Sequence, residues 1–281
     1  MTLSGKAKIA GVMGWPISHS RSPLLHGYWI REYGIDGVYL PFQVDPVNLK
    51  TALQALPALG IAGTNLTVPF KEAALEICDY VDVVARRIGA INTVVVEEDG
   101  RLSGTNTDAF GFVENLKAES DWSAKDGPAV VLGAGGAARA VVAALIDEGV
   151  EKICILNRTF QRGALLAAIF GENCRAAEFC EAAEVLESAA LLVNTTTLGM
   201  VGQPPLELSI ETLPTGAVVN DIVYVPLRTN LLRTAAARGN VVVDGLGMLL
   251  HQARPGFSAW FGHEPKVTTG LRDTVLRDLS G

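Results

Sequence analysis

The spacing of apolar positions changes several times along the chain, and each period assigns an element. KIAGVMG from Lys8, GVYLPFQV from Gly37 and GTNLTV from Gly63 are short apolar runs bounded by turn-forming residues, which predicts strands. PLLHGYWIREYG from Pro23, NLKTALQAL from Asn48 and KEAALEICDYV from Lys71 space their apolar residues three and four apart, which predicts helices. INTVVVEEDGRLSGTN reads as two strands turned at Asp99-Gly100, a step that accepts the positive φ angles of tight hairpins.

From Thr107 a helical pattern runs through AFGFVENLKAE, and a polar break ends at Pro128. Beyond it, strand AVVLGA leads into helix GAARAVVAALIDEG, strand KICILNR, helix QRGALLAAIFG, and strands within LLVNTTT, AVVNDIVY and NVVVDGL. Repeated βα alternation predicts a parallel sheet covered by helices. Residues from Met248 to Leu279 read as helices that pack back on the first unit to bury their apolar faces. The expected fold class is α/β in two domains, since 281 residues exceed the usual single domain.

Composition narrows the function classes. With 49% hydrophobic and 19% charged residues the chain can build a sizeable core. A net charge of −7 without a basic patch argues against a nucleic-acid partner. No apolar run is long enough to cross a bilayer and the first residues lack a signal peptide's apolar stretch, so no membrane association is expected and the cytoplasm is the expected compartment. Cys78, Cys154, Cys174 and Cys180 form no C-x-x-C pair and read as reduced, mostly buried structural thiols. His19, His26, His251 and His263 have no metal-binding spacing, and no metal is expected.

The sharpest local motif is AVVLGAGGAARAVVAAL, where Gly133, Gly135 and Ala138 match G-x-G-x-x-G/A between a buried strand and an amphipathic helix. The first glycine permits the turn, the second lets a pyrophosphate approach the backbone, and the small third residue lets helix and sheet pack closely. This is the phosphate loop of a Rossmann domain, and a glycine-rich turn without a ligand is the plainer alternative. At the end of the next strand, where NAD binders carry an acid, the sequence is ILNRTFQR. Arg158 and Arg162 are permanent cations suited to a 2′-phosphate, which favours NADP over NAD.

Several motifs then occur in a fixed order: Gly14-Trp-Pro-Ile-Ser-His-Ser20-Arg-Ser22-Pro, Asn65-Leu-Thr67-Val-Pro-Phe-Lys71, Gly89-Ala-Ile-Asn92-Thr and Asn106-Thr-Asp108-Ala-Phe-Gly111. Asn157-Arg-Thr159, Asn194-Thr-Thr-Thr-Leu-Gly-Met200, Asp221-Ile-Val-Tyr224 and Asp244-Gly-Leu-Gly-Met-Leu-Leu-His-Gln252 follow. Together they resemble the shikimate dehydrogenase family over nearly the whole chain. The resemblance implies a substrate-binding domain of residues 1–107 completed by 246–281, an NADP-binding Rossmann domain of 108–245, and a cleft between them. It implies reversible reduction of 3-dehydroshikimate to shikimate, a step toward chorismate and the aromatic amino acids, by a monomer or homodimer. Ser20 and Ser22 would bind the substrate carboxylate, and Thr67, Asn92, Asp108 and Gln252 its hydroxyls. Tyr224 would line the site, and Lys71 and Asp108 would be catalytic. The cofactor would meet Gly133, Ala134, Gly135, Gly136, Ala137, Asn157, Arg158, Thr159, Arg162, Met200, Ile222 and Gly245.

The chemistry suits these residue types. Short polar side chains discriminate a polyhydroxylated acid, because a missing hydroxyl leaves buried groups unpaired. Hydride transfer belongs to the nicotinamide, so the protein must align two carbons and manage one proton. Lys71 as an ammonium could stabilise or protonate the forming alkoxide, and neutral Lys71 could accept the proton in reverse. A neighbouring Asp108 favours the charged lysine, so charge stabilisation is the safer role. Each residue also has a plain structural reading: Lys71 and Asp108 as helix-start charges, Ser20 and Ser22 as turn or capping residues before Pro23, Thr67, Asn92 and Gln252 as satisfied core polar groups, Arg158 and Arg162 as helix-start surface charges, and Arg21 as a solvated cation. Trp15 and Gly27-Tyr28-Trp29 depart from the family pattern beside the substrate loop. A quinate or aminoshikimate dehydrogenase, and a non-catalytic NADP sensor, are the alternatives.

Overall fold

The computed structural model describes residues 3–280. The chain divides into two compact units, one of Met1–Thr107 with Gln252–Gly281 and one of Asp108–His251.

In the first unit the chain runs β1 (Lys8–Gly14), α1 (Ser22–Glu32), β2 (Gly37–Gln43), α2 (Leu49–Ala55), β3 (Ile61–Leu66), β4 (Tyr80–Val81), α3 (Val83–Ile88), β5 (Thr93–Val96) and β6 (Leu102–Thr105). These strands form one mixed sheet in the order β2-β1-β3-β5-β6-β4. β1 pairs parallel with β2 and β3, while β5 is antiparallel to both β3 and β6. The predicted hairpin is therefore present, with Gly100 at φ +83° and its N–H donating to Glu97 O. Asp99 keeps a negative φ and instead accepts the Arg101 N–H on its carboxylate (3.1 Å).

The predicted helix over 71–81 does not form. A single 3-10 turn, Ala73–Glu76, gives way to β4, which pairs parallel with β6. Side chains after the turn bond elsewhere: Asp79 accepts the Leu102 N–H (2.8 Å), and Asp82 caps α3 by accepting the Ala85 N–H (2.6 Å). Such aspartates compete with a continuing helix by offering the backbone other partners.

A hydrophobic core of this unit includes Leu53, Leu66, Phe70, Ile91 and Val94. An aromatic cluster sits elsewhere in the unit. His26 lies flat against Tyr39 (3.9 Å between centroids) and near Trp29, Phe257 and Trp260. Burial holds the His26 imidazole down to about 3, and neither ring nitrogen has a hydrogen-bond partner, so the ring is neutral. Gly63 makes this packing possible: at φ +156° a Cβ there would lie 2.1 Å from Trp260 Nε1, the atom that donates to Val94 O.

The second unit runs α4 (Asp108–Glu119), β7 (Ala129–Leu132), α5 (Gly136–Asp147), β8 (Ile153–Leu156), α6 (Phe160–Phe170), β9 (Cys174–Ala177), α7 (Ala182–Leu186), β10 (Leu191–Asn194), β11 (Val218–Asp221), α8 (Asn230–Ala237) and β12 (Val241–Val243). α9 (Gly245–Phe261) begins here and ends in the first unit, which also holds α10 (Thr269–Ser280). The six strands are all parallel, in the order β12-β11-β10-β7-β8-β9. Strands β7, β8, β10 and β11 are buried along their whole length, as expected of a sheet covered on both faces. The edge strand β9 has no counterpart in the sequence reading. Its residues, CRAA, have little β-preference, and pairing with β8 alone makes them a strand.

The thiols need one correction. All four are free, but only Cys154 is buried, while Cys78 and Cys174 are half-buried and Cys180 is exposed on a 3-10 turn. Among the described residues, no helix is long and apolar enough to cross a membrane, and no group of three or more His, Cys, Asp or Glu could hold a metal.

Candidate functional site

In the first unit, three motif loops meet beyond the ends of β1 and β3. Thr67 N–H donates to Met13 O (3.0 Å), Trp15 N–H to Val68 O (3.1 Å) and Ile91 N–H to Lys71 O (2.8 Å). The loops that carry Ser20, Thr67 with Lys71, and Asn92 are thereby knitted together although they are far apart in sequence. Gly14 permits the closeness, since a Cβ there would lie 2.6 Å from Thr67 Cγ2.

Ser20 and Ser22 sit at the start of α1. The Ser20 hydroxyl accepts the Ser22 N–H (3.3 Å), which bears out the turn reading of Ser20, and Pro23 occupies the first turn. Arg21 is not merely solvated: its Nε pairs with Asp278 on α10 (2.9 Å). Burial raises the Tyr39 phenol well above its usual range, opposed by a hydrogen bond with the Ser22 side chain. Tyr39 also donates to Asn65 Oδ1 (2.6 Å).

From Asn65 a polar chain continues through the unit. Its Nδ2 donates to Asn92 O (3.1 Å) and Thr93 Oγ1 (3.0 Å). The buried Asn92 then accepts on Oδ1 from Thr93 Oγ1 (2.9 Å), Thr107 N–H (2.9 Å) and Thr107 Oγ1 (3.1 Å). Three donors on one oxygen fix the amide's orientation and leave Nδ2 as its donor end. Lys71 is half-buried just ahead of the Ala73–Glu76 turn, and Gln252 is half-buried in α9. Sequence reasoning assigned no role to Tyr39, Thr93 or Thr107. Asn65, Thr93 and Thr107 all lie within the ordered motifs, which is the available signal, while Tyr39 lies outside them.

In the second unit, Asp108 opens α4 as a buried acid in its first turn, where the macrodipole favours a negative charge. The glycine motif lies between β7 and α5 as expected. Gly133 has φ +109°, and a Cβ on it would lie 2.8 Å from Thr195 Oγ1, so only glycine fits the turn. Gly135 and Gly136 are exposed, and a Cβ on either would meet nothing within 4 Å. With Gly135 as N-cap and no side-chain cap, α5 leaves its first N–H groups without a side-chain partner, the kind of helix start that binds phosphate. Ala134 and Ala137 are half-buried alongside, and Ala138 is fully buried against the sheet.

After β8, Asn157 Nδ2 donates to Thr159 O (2.8 Å), shaping the turn into α6. Arg158 and Arg162 are both exposed at this turn, free to meet an anion. Ile222 and Gly245 come together, for a Cβ on Gly245 would lie 2.1 Å from Ile222 O. Met200 and Tyr224 are half-buried in the segments after β10 and β11. The phosphate loop, the arginine turn and these segments all follow the carboxyl ends of parallel strands, where doubly wound sheets bind ligands.

Two family models match the chain: the shikimate dehydrogenase substrate binding domain over residues 12–94, and shikimate / quinate 5-dehydrogenase over residues 116–200. A shikimate dehydrogenase (NADP(+)) of Paramagnetospirillum magneticum is 60% identical over 275 residues, covering 98% of this chain and 100% of the relative. The crystal structure of a Thermus thermophilus shikimate 5-dehydrogenase in complex with NADP(H) and shikimate is similar with a TM-score of 0.85 at 40% identity, covering 96% of this chain and 99% of that one. A Corynebacterium glutamicum quinate dehydrogenase in complex with NAD superposes with a TM-score of 0.89 at 32% identity, covering 96% and 99%. A 60% identity sustained over the full length, on a mixed sheet and an all-parallel sheet each carrying its motif loops, places this chain in the shikimate dehydrogenase family.

Proposed function

We propose that this chain is an NADP-dependent shikimate dehydrogenase that reversibly reduces 3-dehydroshikimate to shikimate, as a soluble cytoplasmic monomer or homodimer. The observation that carries the cofactor choice is the open, uncapped start of α5 together with Arg158 and Arg162 after β8, where an NAD binder carries an acid. The N–H groups from Gly133 to Ala137 hold the pyrophosphate, and the arginines hold the 2′-phosphate with Asn157 and Thr159 shaping their turn. Met200, Ile222 and Gly245 pack against the remainder of the dinucleotide.

NADP supplies the hydride chemistry when bound, and the chain's residues bind, orient and handle a proton. Ser20 and Ser22 hold the substrate carboxylate. Thr67, Asn92, Asp108 and Gln252 hold its hydroxyls, the Asn92 amide being oriented by the three donors on its oxygen. Tyr224 lines the site. Lys71, with Asp108, stabilises charge on the carbonyl oxygen and delivers its proton in reduction, and takes the proton back in oxidation. The substrate domain comprises residues 1–107 with 246–281, and the cofactor domain 108–245.

The test is reduced-cofactor absorbance with shikimate and quinate, each against NADP and NAD. Selective turnover of shikimate with NADP is the expected result. Preference for quinate or NAD would move the chain to a sister activity, and nucleotide binding without turnover would identify a sensor.

A further inference from the structure

Asp221 is the last residue of β11, is wholly buried, and has no part in the reaction described above. Its Oδ1 accepts from Asn194 Nδ2 (3.0 Å) and from the Val223 N–H (3.0 Å), and its Oδ2 accepts from the Thr229 hydroxyl (2.7 Å). All three partners are donors. A carboxylate satisfies them together, whereas an amide would set its NH2 against one of them.

Each partner anchors a different segment. Asn194 ends β10, and its Oδ1 accepts the N–H (3.1 Å) and hydroxyl (2.7 Å) of Thr196 while its Nδ2 also reaches Leu198 O (3.3 Å). Thr229 is the N-cap of α8 and accepts the Leu232 N–H (3.4 Å). Val223 belongs to the segment that leaves β11. The segments after β10 and β11 are tied again by Ile222 N–H to Asn194 O (3.1 Å) and by Val201 N–H to Val225 O (2.9 Å). One buried carboxylate therefore stands at the centre of a support joining both segments to a helix start.

Strand order reverses between β10 and β7 in this sheet, and a dinucleotide lies across such a reversal. With the phosphate loop after β7 and the arginine turn after β8, the adenosine half would lie on the β7–β8 side. The nicotinamide half would then lie on the β10–β11 side. We infer that Asp221 is a positioning residue, holding residues 194–201 and 221–226 as one wall for the nicotinamide half of the cofactor. The inference rests on the NADP reading above.

The test uses Asp221→Asn and Thr229→Val, with Thr229→Ser as the variant that keeps the hydroxyl. Steady-state constants for NADP and shikimate are measured beside binding of 2′,5′-ADP, a probe that carries only the adenosine end of the cofactor. Loss of a buried hydrogen bond should lower kcat/KM for NADP by about tenfold in Asp221→Asn and Thr229→Val. Thr229→Ser should stay near wild type, and 2′,5′-ADP should bind all variants with unchanged affinity. Unchanged kcat/KM in both disruptive variants would overturn the inference, as would a parallel loss of 2′,5′-ADP affinity, the mark of a merely structural defect. A wild-type protein that binds 2′,5′-ADP but neither binds nor turns over NADP would overturn the cofactor reading and the inference with it.

Discussion

The backbone N–H of Thr107 donates to the side-chain oxygen of Asn92 (2.9 Å), so the residue just before Asp108 helps fix the orientation of the Asn92 amide. Asn92→Asp replaces the Nδ2 donor end with an acceptor. It should raise KM for shikimate by about tenfold or more, the cost of one buried hydrogen bond turned repulsive, with a smaller change in kcat. Thr107→Val, which removes one of the three donors to the oxygen, should shift KM in the same direction by less. Steady-state kinetics at saturating NADP decides both.

In the proposed mechanism Lys71, with Asp108, handles the proton, and removing a positioned acid–base group costs about 10²–10⁴-fold in rate. Lys71→Ala should therefore lose most of kcat while KM changes little. Near-normal turnover would show that the proton travels by another route.

Arg158 and Arg162 are exposed beside the turn shaped by Asn157. Charge-assisted bonds to a phosphate are worth about 1.5–3 kcal/mol, so Arg158→Ala should reduce the preference for NADP over NAD by about ten- to a hundredfold. The ratio of kcat/KM for the two cofactors is the measurement. Shikimate KM should stay close to its wild-type value.

His26 sets the acid limb of stability. Its folded pKa of about 3 lies below the ordinary 6.5, so between these values the unfolded chain binds more protons than the folded one. Its contribution to stability is full above pH 6.5 and is lost as pH falls toward 3, by up to about 5 kcal/mol at roughly 1.4 kcal/mol per pKa unit. His26→Phe, which keeps a ring against Tyr39, should flatten this limb in denaturant titrations at pH 4 and pH 7.

Asp221 has the opposite sign over a narrower window. Burial pushes its carboxyl up from 3.8 to about 6, despite hydrogen bonds from Thr229, Val223 and Asn194. The folded chain holds the extra proton between those values, so this group's contribution to stability falls as pH rises from 3.8 to 6, by about 3 kcal/mol. Asp221→Asn should remove that slope, making the variant's stability fall more steeply on acidification than the wild type's, because His26 then acts unopposed.

The two α/β sheets, the phosphate loop and the arginine turn are legible in the residues because each depends on local chemistry. A buried parallel strand needs a continuous apolar run such as AVVL, and a helix start that accepts phosphate needs glycines such as Gly135 and Gly136 directly after it. The motif loops around Ser20, Lys71 and Asn92 were also recognisable as a set. Their meeting place was not, because the bonds from Trp15 to Val68 and from Ile91 to Lys71 join residues with no shared local pattern.

The same limit explains the misread segment at 71–81. Its apolar spacing is helical, yet Asp79 and Asp82 bond to Leu102 and Ala85, and β6 takes Tyr80–Val81 into the sheet. β9 likewise becomes a strand through β8 rather than through its own residues. The roles of Tyr39, Thr107 and Asp221 depend on who their partners are, and hydrogen bonds between distant segments leave no periodicity in the chain. Local propensity and spacing thus specify the elements and the cofactor's charge preference, while the orientation of Asn92 and the burial of His26 and Asp221 arise only when packing excludes water from groups that the chain brings together.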